Sequence, residues 1–74
     1  MAAYRFSVVI EEDGAGFYAH CPELQGCYTQ GETYHDVMQN IRDAIQLHVQ
    51  DRLSTGEAIP DPSAVTLTTL EIAV

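Results

Sequence analysis

The chain has 74 residues with eleven acids, three arginines and no lysine, which gives a formal net charge of −8. A surface this acidic repels phosphate backbones unless its basic residues cluster, and Arg5, Arg42 and Arg52 are dispersed, so we expect no direct nucleic-acid binding. The sequence has no apolar run of about 18 residues and no apolar secretory core after Met1, which predicts a cytoplasmic protein outside any membrane.

The first 30 residues show the patterns of three strands. Residues 4–10 alternate apolar and polar side chains, which is typical of a strand with one buried face. An Asp-Gly turn within residues 12–16 joins this strand to a second one at residues 17–21, so a β-hairpin is predicted. Residues 27–30 form a third, short strand, and three strands with tight connections make an antiparallel meander.

The loop at residues 21–27 lies between the second and third strands. Pro22 locks its own φ and Gly26 can take φ values that a Cβ resists, so we expect the loop to present Glu23, Leu24 and Gln25 as a contact surface. Cys21 and Cys27 bracket the loop, and His20 precedes it. A cytoplasmic pair of cysteines with no fourth ligand at a recognised spacing predicts packed thiols and no metal site or disulfide.

A single amphipathic helix follows. Thr33 is a good N-cap with Asp36 three residues on, and Gly56 ends the helical pattern. His48 lies within the apolar stripe, where a histidine hydrogen-bonded at the core margin is favoured over a catalytic one. The predicted stripe consists of Tyr34, Val37, Met38, Ile41, Ala44, Ile45, His48 and Val49.

The end of the sequence predicts an extended connector at residues 57–63 and a last strand at residues 65–74. A right-handed crossover would lay this strand parallel to the first one. The predicted fold is therefore α+β in the order β-β-β-α-β, with a mainly antiparallel sheet covered on one face by one helix. A single domain of residues 1–74 has a small core, which favours a homo-oligomer, either a dimer or a tetramer.

Several motifs together resemble the HicB-like antitoxin family. They are residues 4–10, the block EEDGAGFYAHCPELQGCYTQGET at residues 11–33, and the stretch with Asn40, Ile41, Ala44 and Ile45. The resemblance covers nearly the whole chain. It implies a partial RNase H-like fold and a role as the neutralising partner of a small basic HicA-type toxin, a ribonuclease that cuts mRNA.

The chain departs from the family pattern in two places. Gln25 stands where the family consensus has proline, which loosens the loop. Many members also carry a C-terminal helix-turn-helix or ribbon-helix-helix domain that binds operator DNA, and no such pattern precedes Val74. We therefore expect a single HicB-like antitoxin domain without a DNA-binding domain.

The RNase H-like label raises the question of nuclease activity. Two-metal phosphodiester cleavage needs carboxylates that converge from strand centres and a helix. The middle of the predicted first strand offers Ser7, Val8 and Val9, and the neighbouring acids lie at a hairpin tip, where a solvated charge run is expected. The sequence therefore predicts no enzyme, no catalytic residue, no metal site and no cofactor.

Two functions remain in competition. In the first, the chain binds a basic ribonuclease toxin, its carboxylates take the place of RNA phosphates, and apolar loop residues fill the contact centre. The predicted partner-binding residues are Glu11, Glu12, Asp13, Glu23 and Leu24. In the alternative, the chain is an orphan oligomeric module without a toxin partner that binds a small molecule, a metal or another protein. Its chemically interesting groups would be His20, Cys21, Cys27 and His48.

Overall fold

The computed structural model describes residues 3–60 and 66–74, and it contains three strands followed by one helix. The elements are β1 (Val9–Asp13), β2 (Gly16–His20), β3 (Tyr28–Gly31) and α1 (Tyr34–Thr55). The sheet order is β1-β2-β3, and both strand pairs are antiparallel. The predicted α+β class and the order β-β-β-α are confirmed.

The hairpin turn sets the register of the sheet. The Asp13 carboxylate accepts hydrogen bonds from the Ala15 N–H at 2.7 Å and from the Gly16 N–H at 3.1 Å. An aspartate that binds the backbone two and three residues on stabilises a tight turn. The resulting register pairs Asp13 with Gly16 and Ile10 with Ala19.

The core lies between the sheet, the 21–27 loop and one side of α1, which contacts β2 and β3. The buried residues among those described are Ala19, Cys21, Leu24, Cys27, Val37 and Ile41. Partly buried side chains of Phe6, Val8, Ile10, Phe17, Ala44 and Ile45 pack against them. The predicted apolar stripe of the helix is thus confirmed at Val37 and Ile41, whereas Tyr34 is 57% exposed. Its ring instead meets Phe17 edge-on, with 6.2 Å between ring centroids.

Both ends of α1 are formed by the residues that the sequence indicated. Thr33 has an extended backbone, and its side chain accepts the Asp36 N–H at 3.0 Å, as an N-cap does. At the other end Gly56 has a left-handed φ of 79° and donates its N–H to the Arg52 carbonyl. This geometry satisfies one of the last helical carbonyls and stops the helix.

The contact between β3 and the start of α1 leaves no room for a side chain at Gly31. A Cβ built there would lie 2.6 Å from the Val37 amide nitrogen and 3.0 Å from the Asp36 carbonyl carbon. These are backbone atoms of the first helical turn, so they cannot rotate away. Gly31 is therefore required by the close approach of strand and helix.

Two strand predictions differ from the structure. The first strand was expected at residues 4–10 but begins at Val9, because β2 gives way to the 21–27 loop after His20 and leaves residues 4–8 without a strand to pair with. The predicted last strand is not formed at residues 66–74, all of which are exposed, and Val65 lies outside the described residues. A strand needs another strand's backbone groups, and no described residue supplies them to this segment.

Replacing Gly31 with alanine should lower the free energy of unfolding by roughly 1 to 3 kcal/mol, because the new methyl group overpacks against helical backbone. The matched control is Gly14→Ala, since nothing lies within 4 Å of a Cβ at that position. Urea unfolding followed by circular dichroism measures both variants. Equal unfolding midpoints would show that strand and helix separate at little cost.

Candidate partner-binding surface

The three predicted acids at the hairpin tip are all exposed, but their side chains have different surroundings. Glu11 is paired with Tyr18, whereas Glu12 is paired with Phe17, whose ring contacts the helix. Because neighbouring residues of a strand point to opposite faces, Glu11 lies on the sheet face away from α1 and Glu12 on the helix side. Asp13 holds the turn through its two backbone contacts. The tip is thus negative on both faces.

The 21–27 loop folds inward, so Leu24 is not presented at the surface as predicted. Leu24 is 1% exposed and belongs to the core. The Cys21 N–H donates to the Cys27 carbonyl at 3.0 Å, the Leu24 N–H to the Cys21 carbonyl at 3.1 Å, and the Cys27 N–H to the Leu24 carbonyl at 3.1 Å. This internal network closes the loop around the leucine, and only Gln25 of the three predicted contact residues is fully exposed.

Glu23 also turns toward the protein. Its Oε1 accepts the Ser7 N–H at 2.7 Å and lies 3.5 Å from the Cys21 sulfur, which donates to it. The other oxygen, Oε2, is buried and has no hydrogen-bond partner among the described residues. A charge-assisted bond to a backbone N–H is among the stronger hydrogen bonds in proteins. Glu23 therefore fastens the segment before β1 to the loop.

The two thiols are buried and free. Burial, together with the hydrogen bond to Glu23, raises the pKa of the Cys21 thiol to about 11. Burial also raises the pKa of the Cys27 thiol. Since the thiolate is the reactive form, both groups are poor nucleophiles and poor metal ligands at neutral pH.

The sheet face away from α1 carries Tyr18, Tyr28 and Gln30, which the sequence analysis did not select, beside Glu11 and His20, which it did. The strand register places Glu11, Tyr18 and Gln30 in one row across this face, and His20 and Tyr28 in the next. Tyr18 is 40% exposed and Tyr28 is 75% exposed. We call these five residues the outer face. Exposed tyrosines are typical of protein interfaces because each combines a large apolar ring with a polar hydroxyl.

The outer face contains a depression between side chains of β2 and β3. Tyr18, Tyr28 and Gln30, with Thr29, line a shallow depression of about 380 Å³. The sequence of β2 contains a signal for this face. Ala19 is buried under the helix, so its neighbours Tyr18 and His20 must point to the other face of the sheet. Finding it requires the strand boundaries, which can be predicted from the sequence only approximately.

The residues of the alternative binding hypothesis do not converge. His20 is exposed, Cys21 and Cys27 are buried, and His48 is partly buried beside Leu47 and Asp51. Across residues 3–60 and 66–74, no group of three or more histidine, cysteine or acidic side chains is placed to hold a metal ion. The part of the chain that the structure describes also has no helix with the length and apolar character of a membrane span.

Replacing Glu23 with alanine should destabilise the protein by about 1 to 3 kcal/mol, because the Ser7 N–H loses its acceptor. Glu23→Gln keeps an amide oxygen at that position and should lose less. The control Gln25→Ala changes an exposed neighbour in the same loop and should stay within about 0.5 kcal/mol of the parent. Thermal and urea unfolding report these differences, and a fully stable Glu23→Ala variant would contradict the fastening role.

The raised thiol pKa values predict slow modification. At pH 8 Cys21 of the folded protein should react with a disulfide reagent roughly 100-fold more slowly than in denaturant, since little thiolate is present, and Cys27 should also be slowed. The folded-state pKa of Cys21 lies above its unfolded value. Its contribution to stability is therefore complete below about pH 8.5 and is lost as the pH rises toward about 11. Absorbance of the released chromophore gives the rates, and comparable rates in both states would refute the burial argument.

Comparison with known proteins gives a consistent family assignment. The family described as the HicB-like antitoxin of bacterial toxin–antitoxin systems matches residues 6–71. A UPF0150 protein of Synechocystis sp. is 34% identical over 58 residues, which cover 77% of this chain and 73% of the relative. A UPF0150 protein of Thermoplasma acidophilum is 34% identical over 65 residues, which cover 86% of this chain and 94% of the relative. A UPF0150 protein of Helicobacter pylori is 42% identical over 45 residues, which cover 61% of this chain and 62% of the relative.

No solved structure matches the chain. The family match extends from the segment before β1 through the helix and into the exposed C-terminal segment, so it includes every element described above. The chain therefore belongs to the family of HicB-like antitoxins.

Proposed function

We propose that this protein is the antitoxin of a type II toxin–antitoxin pair and that it binds and neutralises a small basic ribonuclease toxin of the HicA type. The observation that carries the proposal is the match of residues 6–71 to an antitoxin family. The net charge of −8 supports it independently, because an acidic protein attracts a toxin that must itself bind RNA.

The proposed mechanism is occlusion. A ribonuclease holds the phosphates of its substrate with basic groups, and carboxylates of the antitoxin can take their place. The exposed Glu11 and Glu12 supply such carboxylates at the hairpin tip, with Asp13 beside them. This long-range attraction raises the association rate, and short-range contacts then determine how long the complex lasts.

The outer face supplies the short-range contacts in this proposal. Tyr18 and Tyr28 form its aromatic part and Glu11 lies in the same row as Tyr18, so an apolar centre adjoins a negative rim. Interfaces commonly combine a few buried aromatic anchors with a polar surround. Direct contact by Glu23 and Leu24 stays a prediction. Their burial favours an indirect role, in which they hold the loop and the segment before β1 in position.

Reversing the charge at the tip should weaken toxin binding. The double variant Glu11→Lys/Glu12→Lys leaves the turn at Asp13 intact and should lower the affinity on the order of tenfold, mainly through a slower association rate with a weaker salt dependence. The matched control, Asp43→Lys/Asp51→Lys, makes the same change of charge on exposed helix positions. Surface plasmon resonance at several salt concentrations measures both. Equal losses in the two variants would mean that only net charge matters.

The proposal itself is tested first by a search beside this chain's gene for a reading frame of similar length that encodes a strongly basic protein, and then by co-expression with that protein. Expression of that protein alone should stop growth and cleave mRNA, and added antitoxin should restore both. A Tyr28→Ala variant separates the outer face from overall charge, since it removes an exposed ring without altering any charge. If the two proteins neither associate nor affect each other's activity, the antitoxin proposal is overturned.

A further inference from the structure

An apolar groove runs along the β1 side of the helix. It has a volume of about 250 Å³ and lies between the segment before β1 and the flank of α1. Its lining residues are Phe6, Val8, Met38, Ile41, Arg42 and Ile45. Four of these come from one side of the helix, at spacings of three and four residues. The groove is therefore a continuous apolar strip with a single charged residue.

The groove adjoins an open edge of the sheet. β1 is an edge strand, and α1 contacts β2 and β3 but not β1. Ser7 directs its N–H to Glu23, which follows β2 in the chain. Because backbone groups alternate between the two sides of an extended chain, we expect those of Phe6 and Val8 on the side away from Glu23. A strand added at this edge could pair with these backbone groups and place apolar side chains in the groove.

The C-terminal segment, residues 66–74, has the properties of the missing strand. Leu70 and Ile72 are 77% and 74% exposed, and Val74 is fully exposed. These three alternate with Thr69, Glu71 and Ala73, so in an extended strand they share one side. Leu67, with 76% exposure, lies on the other side. One protein thus carries an uncovered apolar groove and an uncovered apolar strand sequence.

The small core and the large radius of gyration indicate that the groove and the C-terminal segment are both covered in the functional protein. The core of the described residues contains six buried residues, which is little for a chain of 74. The radius of gyration is 14.2 Å, whereas a compact domain of this length would have about 11 Å. The single chain therefore leaves apolar surface extended away from its own core.

We propose that residues 66–74 of one copy add as an edge strand beside residues 4–10 of a second copy, with Leu70, Ile72 and Val74 in its groove. The segment does not occupy the groove of its own chain, because all of its residues are exposed. Two copies that exchange this segment reciprocally satisfy both grooves and both open edges with one two-fold contact. Exchange of an identical element is a low-cost route to a dimer. This inference is independent of the proposed antitoxin function.

Oligomeric state gives the first test. Light scattering after size exclusion should give the mass of a dimer, and Leu70→Asp/Ile72→Asp should shift it to a monomer. Leu47→Asp/Leu53→Asp is the matched control, since these leucines are also 67% and 54% exposed but lie on α1. The control should remain dimeric. If the control dissociates while the C-terminal variant stays dimeric, the copies associate through the helix and the proposal is wrong.

A second test uses the unaltered protein, so it does not depend on the folding of a variant. Dimers mixed from isotope-labelled and unlabelled chains should show interchain nuclear Overhauser effects between the Phe6 ring or Ile45 methyls and the methyls of Leu70 or Ile72. A monomer with the same contacts within one chain would show closure in cis. A segment without such contacts would be a free tail. Either result overturns the exchange of strands.

Discussion

The inward fold of the 21–27 loop is the constraint on which the rest of the structure depends. Leu24 is among the largest fully buried side chains, and backbone hydrogen bonds among Cys21, Leu24 and Cys27 close the loop around it. Through Glu23 the same loop fixes the position of Ser7 and with it the segment before β1. The loop thus determines where the groove lies, how little solvent reaches the thiols, and which faces remain for other proteins.

The sequence predicted the helix better than the strands, and the reason is physical. Thr33 and Gly56 act through their own local chemistry, so their roles can be read without knowing any neighbour. Alternation in residues 4–10 reports one-sided burial, which Phe6 and Val8 do show, but it does not report backbone pairing. Pairing depends on where β2 ends. The same limit applies to residues 66–74, whose alternation contains no information about the strand that they join.

The surface residues divide in a similar way. Exposure of the acids at the tip follows from a turn that Asp13 stabilises locally, so the sequence could predict it. Leu24 packs into a core formed with the sheet and the helix, and its neighbour Glu23 binds Ser7, sixteen residues away; no local pattern reveals either contact. The tyrosines of the outer face were missed because the members of this face come from three strands. What requires glycine at position 31 is the nearness of the Val37 backbone, six residues on, which the sequence alone does not show.

The helix is longer than the sheet that it covers. Its 22 residues span about 33 Å, whereas the five residues of β1 or β2 span about 17 Å. Its buried residues, Val37 and Ile41, lie in the first half of the helix, so the final turns extend beyond the buried core. Because no helix residue after Ile41 is buried, the sheet that bears the negative tip does not fix the length of this end of the helix.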